Sequence, residues 1–173
     1  MIVETLQLGL YNWIHTVTGV PVVRMDQNAP IPSVPYIGYR LGTTSKIAED
    51  FAGAVNIYGD ATSVGTRELT VSIQGYGRGA RQRCEDLRDS LERESVRGLL
   101  RDSSMIVVEA GVVSNIAQLL NNAYEERALL EPRIRTWSET GDQVGYFDKV
   151  SGDATYLGAD GSVVATYAFH SQL

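Results

Sequence analysis

The first residues of the chain carry apolar side chains at helical spacing. The apolar positions over 2–17 are Val3, Leu6, Leu10, Ile14 and Val17, with Trp13 beside them. This spacing predicts an amphipathic helix. Gly19 and Pro21 follow as helix-stop signals, and residues 21–25 then predict a short strand.

Polar and apolar residues alternate further along the chain, which is typical of strands. Residues 36–41 and 67–74 follow this pattern, so every second side chain would face inward. The intervening residues 43–66 are rich in small and polar residues. We interpret them as a long loop or a loose hairpin arm, with a candidate strand at 54–58.

Two further helices are predicted in the middle of the chain. After a glycine-rich turn at 75–79, residues 80–93 carry an apolar stripe at helical spacing. The stripe consists of Ala80, Cys84, Leu87 and Leu91. Ser95 is placed to cap a short third helix over 96–103.

The second half of the chain is predicted to be mostly strand. The composition of residues 105–109 indicates a buried strand, and 112–123 are ambiguous between a strand end and a helical turn. Residues 124–138 predict a long strand, in which Pro132 makes the middle an edge or a bulge. Residues 145–150 predict another short strand.

The last residues predict a β-hairpin about a Gly-Ala-Asp-Gly turn. The order helix, strands, helices, strands indicates an α+β fold, in which two or three helices pack on one face of a mainly antiparallel sheet. We therefore expect an α+β domain over residues 1–150 and a C-terminal β-hairpin extension over 151–173.

Composition and charge exclude several classes of protein. The net charge of −6 argues against a general nucleic-acid binder. A single cysteine excludes an internal disulfide framework and a multi-cysteine zinc site. The apolar runs are too short to span a membrane. Seven arginines against five acidic residues give residues 78–101 a net charge of +2, which favours a solvated helix face or a charged subunit interface.

Candidate catalytic chemistry is sparse. His15 and His170 lie at opposite ends of the chain, and Cys84 lies on the apolar stripe of the second helix. None of the three predicts a catalytic centre. We expect no catalytic residues, no metal and no cofactor, and a protein that is not an enzyme.

The turn at residues 75–80 imitates a nucleotide site. Its sequence, GYGRGA, matches G-x-G-x-x-A between a predicted strand and a predicted helix, and Glu94 follows 19 residues after Gly75. The preceding strand is half polar, however, and no second β-α-β unit follows. A tight strand-to-helix turn is therefore the favoured interpretation.

Prolines are concentrated in one connection. Pro30, Pro32 and Pro35 fall within six residues and lead into the predicted strand that begins at Tyr36. Prolines lower the entropy lost when a contact loop becomes ordered, and they remove backbone donors that would invite wrong pairing. The stretch predicts either a stiff contact surface for a partner or a loop packed on its own core.

Two blocks of residues, together with the strand at 133–137, form a recognisable series. The first block is Thr18, Gly19, Pro21, Val22, Gln27, Asn28, Ala29, Pro30, Pro35 and Tyr36. The second block is Tyr76, Gly77, Gly79, Ala80, Leu87, Arg88, Ser90 and Leu91. In order and spacing the series resembles phage neck or tail terminator proteins of long-tailed, contractile-type phages. The resemblance covers roughly residues 1–150 and leaves out the terminal hairpin.

The resemblance implies a structural subunit of the virion neck, assembled in the cytoplasm of the bacterial host. Such subunits form a ring, commonly a hexamer, that caps the tail tube and meets the head-side connector. Sheath proteins are a further expected partner, and DNA would pass through the lumen without specific binding. No catalysis, cofactor or membrane is implied.

Two groups of residues become candidates for these contacts. The candidate subunit or partner interface is Gln27, Asn28, Pro30, Pro32, Pro35, Tyr36, Arg78 and Arg81. Candidate lumen residues are Glu49, Asp50 and Asp60, because an acidic lining would not hold passing DNA. The alternatives are a monomeric protein-binding module that uses the 26–36 loop or the tail hairpin, another neck or head–tail connector protein, and a nucleotide-binding enzyme that uses the 75–80 turn.

Overall fold

The structure is a computed structural model that describes residues 2–28, 30–120, 123–145 and 149–172. Its internal contacts divide the chain into two compact units. Unit 1 comprises Met1–Phe51 and Val64–Glu139, and unit 2 comprises Ala52–Ser63 and Thr140–Leu173.

Three helices occur within the described residues: α1 (Ile2–Thr18), α2 (Ala80–Ser90) and α3 (Glu94–Asp102). All three were predicted, α1 and α2 from apolar periodicity and α3 from a cap at Ser95. The prediction that Ser95 caps α3 is wrong, because Arg93 occupies the N-cap position and makes no side-chain capping bond. Ser95 already lies inside the first turn of the helix.

The strands form a mainly antiparallel sheet, which confirms the predicted α+β class. Ten strands lie in unit 1 or cross its boundary with unit 2; the ones that cross are β3, β4 and β10. They are β1 (Val22–Arg24), β2 (Tyr36–Lys46), β3 (Phe51–Ala52), β4 (Asp60–Tyr76), β5 (Ile106–Glu109), β6 (Val113–Asn115), β7 (Gln118–Leu120), β8 (Ala123–Glu125), β9 (Arg127–Leu130) and β10 (Arg133–Gln143) within the described residues. The main sheet has the order β1-β2-β4-β10-β5, and β9 pairs with β4 and β6. The pairing of β1 with β2 is parallel.

Three strand predictions need correction. Residues 54–58 are not a strand, because the Asn56 side-chain oxygen accepts hydrogen bonds from the N–H groups of Tyr58 (2.8 Å) and Asp60 (3.0 Å) and so closes a turn. The predicted buried strand at 105–109 is an edge strand, β5, whose Ile106 is 56% exposed. The ambiguous residues 112–123 contain β6 and β7 in their described part.

Pro132 divides the predicted long strand at 124–138, which the structure shows as the shorter strands β8, β9 and β10. It lies between β9 and β10, is buried, and accepts a hydrogen bond from the N–H of Val71 through its carbonyl (3.0 Å). Because proline has no N–H of its own, the ladder breaks at this residue. An edge or a bulge was predicted at this residue within one strand, whereas the strand ends here and Pro132 lies in the interior of unit 1.

The core of unit 1 lies between the helices and one face of the sheet. Leu10 and Trp13 of α1 pack there with Ile73 of β4 and Leu87 of α2, all fully buried. The Trp13 indole N–H donates to the buried Ser90 hydroxyl (2.9 Å), which donates in turn to the Leu87 carbonyl (2.6 Å). These two hydrogen bonds satisfy the buried polar atoms of Trp13 and Ser90 at the contact between α1 and α2.

Unit 2 contains the predicted C-terminal hairpin, formed by β11 (Lys149–Leu157) and β12 (Val163–Gln172) in antiparallel pairing. Its turn is closed by the Gly158 N–H, which donates to the Ser162 carbonyl (2.7 Å). In the predicted strand at 145–150, residues 146–148 lie outside the described residues. Among the residues of unit 2 whose burial is described, Gly59 alone is buried.

Candidate assembly surfaces

The proline-rich segment is the crossover between two parallel strands. Val22 pairs with Ile37 and Arg24 with Tyr39, so the chain must return along the whole of β1 before β2 can begin. Parallel strands always require such a crossover, and most proteins use a helix for it. Here the described residues of this connection, 25–28 and 30–35, contain no helix or strand, and the prolines keep its backbone from pairing with the sheet.

One side of this crossover faces outward. Ile31 is 77% exposed, and Val34 is also exposed. A cleft of about 280 Å³ lies between the crossover and β1. Its lining includes the predicted interface residues Gln27, Asn28, Pro30 and Tyr36. Pro35 is exposed beyond this cleft and Pro32 is half-buried.

The other side of the crossover packs against the rest of unit 1. Tyr36 stacks on Tyr76 with ring centroids 4.5 Å apart, and the Arg127 guanidinium lies 5.0 Å from the centre of the Tyr76 ring. Burial raises the pKa of the Tyr36 hydroxyl. At Gly77 a β-carbon would come within 2.8 Å of Val34. Tyr36 therefore holds the crossover in place, and Ile31 is the more available contact residue.

Arg78 lies in the turn against which the crossover packs, and Arg81 lies in the first turn of α2. The Arg81 guanidinium pairs with Glu85 one helical turn on (2.9 Å), and Arg78 is exposed. Val34 lies close to Gly77, so the proline-rich segment reaches the residue that precedes Arg78 in the chain.

The N-terminus of α2 is occupied by a carboxylate of this chain. Glu126 accepts hydrogen bonds from the N–H groups of Gly79 (2.8 Å) and Arg81 (3.4 Å). These bonds, the one from Gly79 first, hold the pKa of Glu126 below its ordinary value. A phosphate would need the same donors. Glycine is also needed at position 75 for close packing of the strand on the helix, since a β-carbon there would lie 3.0 Å from the Ala80 carbonyl oxygen.

Sequence reasoning missed Glu126. It lies 47 residues from Gly79 in the chain, between β8 and β9, and no capping pattern links the two positions. Only the antiparallel pairing of β4 with β9 places this carboxylate at the helix end.

The candidate lumen residues are largely ion-paired. Asp50 receives two hydrogen bonds from Arg67 (2.7 and 2.8 Å), which lower its pKa, and Glu49 pairs with Lys46 (3.1 Å). Asp60 belongs to unit 2 and lies in the turn built on Asn56. The charges of Glu49 and Asp50 are therefore compensated locally.

The groups that most resemble catalytic residues lie apart. Cys84 is fully buried, and burial raises the pKa of its thiol to about 11. His15 stacks on Tyr11 at 5.6 Å between ring centroids. Across the described ranges, no group of three or more His, Cys, Asp or Glu residues could hold a metal ion. No helix of the described chain has both the length and the apolar character needed to cross a bilayer.

These features define a class of protein. The chain has a well-packed α+β unit with a stiff exposed segment, and a second unit in which no large side chain is buried among the residues whose burial is described. Such a combination is typical of a subunit that completes its packing in an assembly. A family model described as phage neck terminator protein matches residues 4–158, and the chain belongs to this family. It is accordingly a structural protein of the phage virion that associates with other neck and tail proteins.

Other comparisons add little. A search of curated proteins finds no match. Among solved structures, a chain titled "Capitella teleta AChBP in complex with lobeline" is 12% identical, with 88% of this chain and 67% of that chain covered and a TM-score of 0.27. A similarity this low carries no argument about fold or function.

Proposed function

We propose that this protein is the tail terminator of a contractile-type phage. Its copies form a ring, expected to be a hexamer, which caps the finished tail tube and joins it to the head-side connector. Sheath proteins are a further partner at the outer rim. The ring is assembled in the host cytoplasm and remains in the virion neck.

The state of unit 2 is the observation that carries this proposal. A two-stranded hairpin is at best marginally stable in water unless an apolar surface covers it. Unit 2 buries no large side chain among its described residues, yet Tyr156, Tyr167 and Phe169 are all exposed. Association with further protein would supply the missing cover, and a closed ring supplies it to every subunit equally.

The crossover is the second contact surface in the proposal. A ring closes only if each subunit holds its contact at a fixed angle to the next. A crossover stiffened by Pro30, Pro32 and Pro35 and anchored by Tyr36 and Gly77 meets that requirement. Ile31, at its exposed side, would be the anchor residue, with Arg78 and Arg81 beside it.

The charge of the subunit suits a conduit for DNA. A net charge of −6 per copy would keep a ring from gripping the duplex. Glu49, Asp50 and Asp60 remain the proposed lumen residues. A ring structure with these three residues on its outer rim would remove this part of the proposal.

The experiment is mass determination by light scattering after size exclusion, with electron microscopy of the heaviest species. Six copies of 18.9 kDa give about 113 kDa. The proposal predicts a closed ring near this mass, either for the protein alone or after addition of purified tail tubes. A strict monomer that does not bind tail tubes would contradict it and favour a monomeric binding module.

A pair of variants tests the crossover surface. Ile31→Ser should raise the concentration needed for ring formation at least 10-fold, whereas Leu8→Ser, at an apolar position on α1 that is 62% exposed, should leave it unchanged. Both variants should keep the melting temperature of the monomer. Equal effects of the two variants on assembly would show that the crossover has no special role.

A further inference from the structure

The β11–β12 hairpin has two unpaired edges. Within the described residues it forms a two-stranded sheet of its own, in which β11 pairs with β12 and with no other strand. The two strands have nine and ten residues, so each presents a long outer row of backbone donors and acceptors with no strand beside it. A free row of this kind is a template for pairing with a further strand.

β12 lacks the features by which proteins protect a free edge. Proteins usually place lysine, proline or a bulge on such a strand. The sequence of β12, VVATYAFHSQ, contains no lysine, arginine, acidic residue, proline or glycine. The register shift in the hairpin lies near its tip, between Tyr156 and Leu157. A strand of high β-propensity without formal charge is therefore suited to pairing on both sides.

The edge of β11 is a suitable partner for the edge of β12. β11 contains one lysine and one aspartate, so the formal charge of each strand is zero. Whole copies of the chain carry a net charge of −6 each and repel one another, but two strands without net charge can approach closely. The two strands are also similar in length, so one edge covers the other almost completely.

Ring symmetry favours a second copy as the source of the pairing strand. β11 and β12 run antiparallel, and rotation about a ring axis keeps every hairpin in the same orientation. β12 of one copy and β11 of the next are then antiparallel as well, which is the pairing geometry found inside the hairpin. A foreign strand would cover one edge and leave the other free, whereas a closed ring of hairpins leaves none.

Such pairing would also give the aromatic side chains neighbours. Tyr156 and Tyr167 lie on one face of the hairpin, where their rings meet edge to face at 5.8 Å between centroids, and Phe169 follows on that face of β12. All three are more than half exposed in the single chain. Because residues on one face of adjacent strands pack side by side, Tyr167 and Phe169 would pack beside β11 side chains of the next copy.

We propose that the β11–β12 hairpins of neighbouring copies pair edge to edge, with β12 of each copy antiparallel to β11 of the next. The inference rests on the proposed ring and names a contact that closes it. Each copy contributes two strands to one continuous antiparallel sheet that runs around the ring. The contact is head-to-tail, as ring closure requires.

Disulfide trapping between two single-cysteine variants tests the proposal. Facing residues of antiparallel strands have their α-carbons about 4.5–5.5 Å apart, which a disulfide can span. One protein carries Thr166→Cys on the polar face of β12, opposite the aromatic side chains. The other carries a cysteine on the same face of β11, as Ser151→Cys, Asp153→Cys, Thr155→Cys or Leu157→Cys. These four positions cover the registers in which the two edges overlap along most of their length.

The matched control is Ala154→Cys, which lies between Asp153 and Thr155 on the opposite face of β11. The two proteins carry tags of different mass, are mixed under conditions where light scattering shows the ring, and are oxidised mildly. The native Cys84 does not interfere, because it is fully buried.

We expect about 10-fold more mixed disulfide dimer from the best of the four partners than from Ala154→Cys, because side chains on opposite faces cannot meet. If none of the four exceeds the control while the ring is intact, edge pairing is overturned and the proposed ring stands. A chain that forms no ring with or without tail tubes would contradict both.

Discussion

The two units of this protein differ in how far they shield their apolar side chains from water. Unit 1 covers the apolar faces of its helices and sheet within one chain, down to the buried hydrogen bond between Trp13 and Ser90. Unit 2, in its described part, leaves Tyr156, Tyr167 and Phe169 in contact with solvent. Unit 1 obtains its stability within its own chain, whereas under the proposed function unit 2 would obtain it from neighbours in the assembled neck.

The largest expected effect is in the core of unit 1. Trp13→Ala removes a fully buried ring and leaves Ser90 without its donor, so it should lower the free energy of unfolding by about 3–5 kcal/mol. Chemical denaturation of the monomer measures this. A loss below about 1 kcal/mol would mean that α1 is not part of a cooperative core.

A smaller effect is expected where the crossover meets the turn before α2. Gly77 has a φ of +79°, and a side chain there would also collide with Val34. Gly77→Ala should therefore cost about 2 kcal/mol. Gly141→Ala is the control, since nothing lies within 4 Å of a β-carbon at that position. Similar melting temperatures for the two variants would show that the crossover is not held against the turn.

The cap of α2 should have a pH-dependent effect. The folded pKa of Glu126 lies below the ordinary 4.5, so its stabilisation is complete above that value and is lost as the pH falls through the folded pKa. Glu126→Gln should cost about 0.5–1 kcal/mol at neutral pH and less in acid. Denaturation at neutral and acidic pH measures both, with the exposed Glu139→Gln as control. A cost that does not change with pH would contradict the role of the charge.

The smallest effect on the monomer is expected in unit 2. Tyr167→Ser should change the free energy of unfolding of unit 1 by less than about 0.5 kcal/mol, while it weakens ring formation. Thr166→Ser, on the polar face, should change neither quantity. A large loss of monomer stability from Tyr167→Ser would mean that the hairpin already has its cover within one chain.

Local patterns were enough to predict the helices and the terminal hairpin. The stripe of Ala80, Cys84 and Leu87 is buried as its spacing indicates, because an amphipathic helix has one face to cover whichever strand covers it. The hairpin likewise depends on residues close in the chain. The family resemblance was also visible in the sequence, and the family match confirms it.

Features that depend on distant neighbours were not predictable in the same way. The apolar strand around Ile106 was expected to be buried, but nothing in its sequence shows that it has a strand on one side only. The parallel pairing of β1 with β2 and the cap by Glu126 follow from how the sheet is ordered. The candidate strand at 54–58 was wrong, because the side chain of Asn56 closes a turn there.

Hydrogen exchange across the β11–β12 hairpin, in the monomer and in the assembled ring, tests the central claim most directly. The claim is that unit 2 acquires its cover only on assembly. It predicts amides of β11 and β12 that exchange rapidly in the monomer and become protected in the ring, while those of β4 are protected in both. Hairpin amides that are as protected in the monomer as in the ring would contradict the claim.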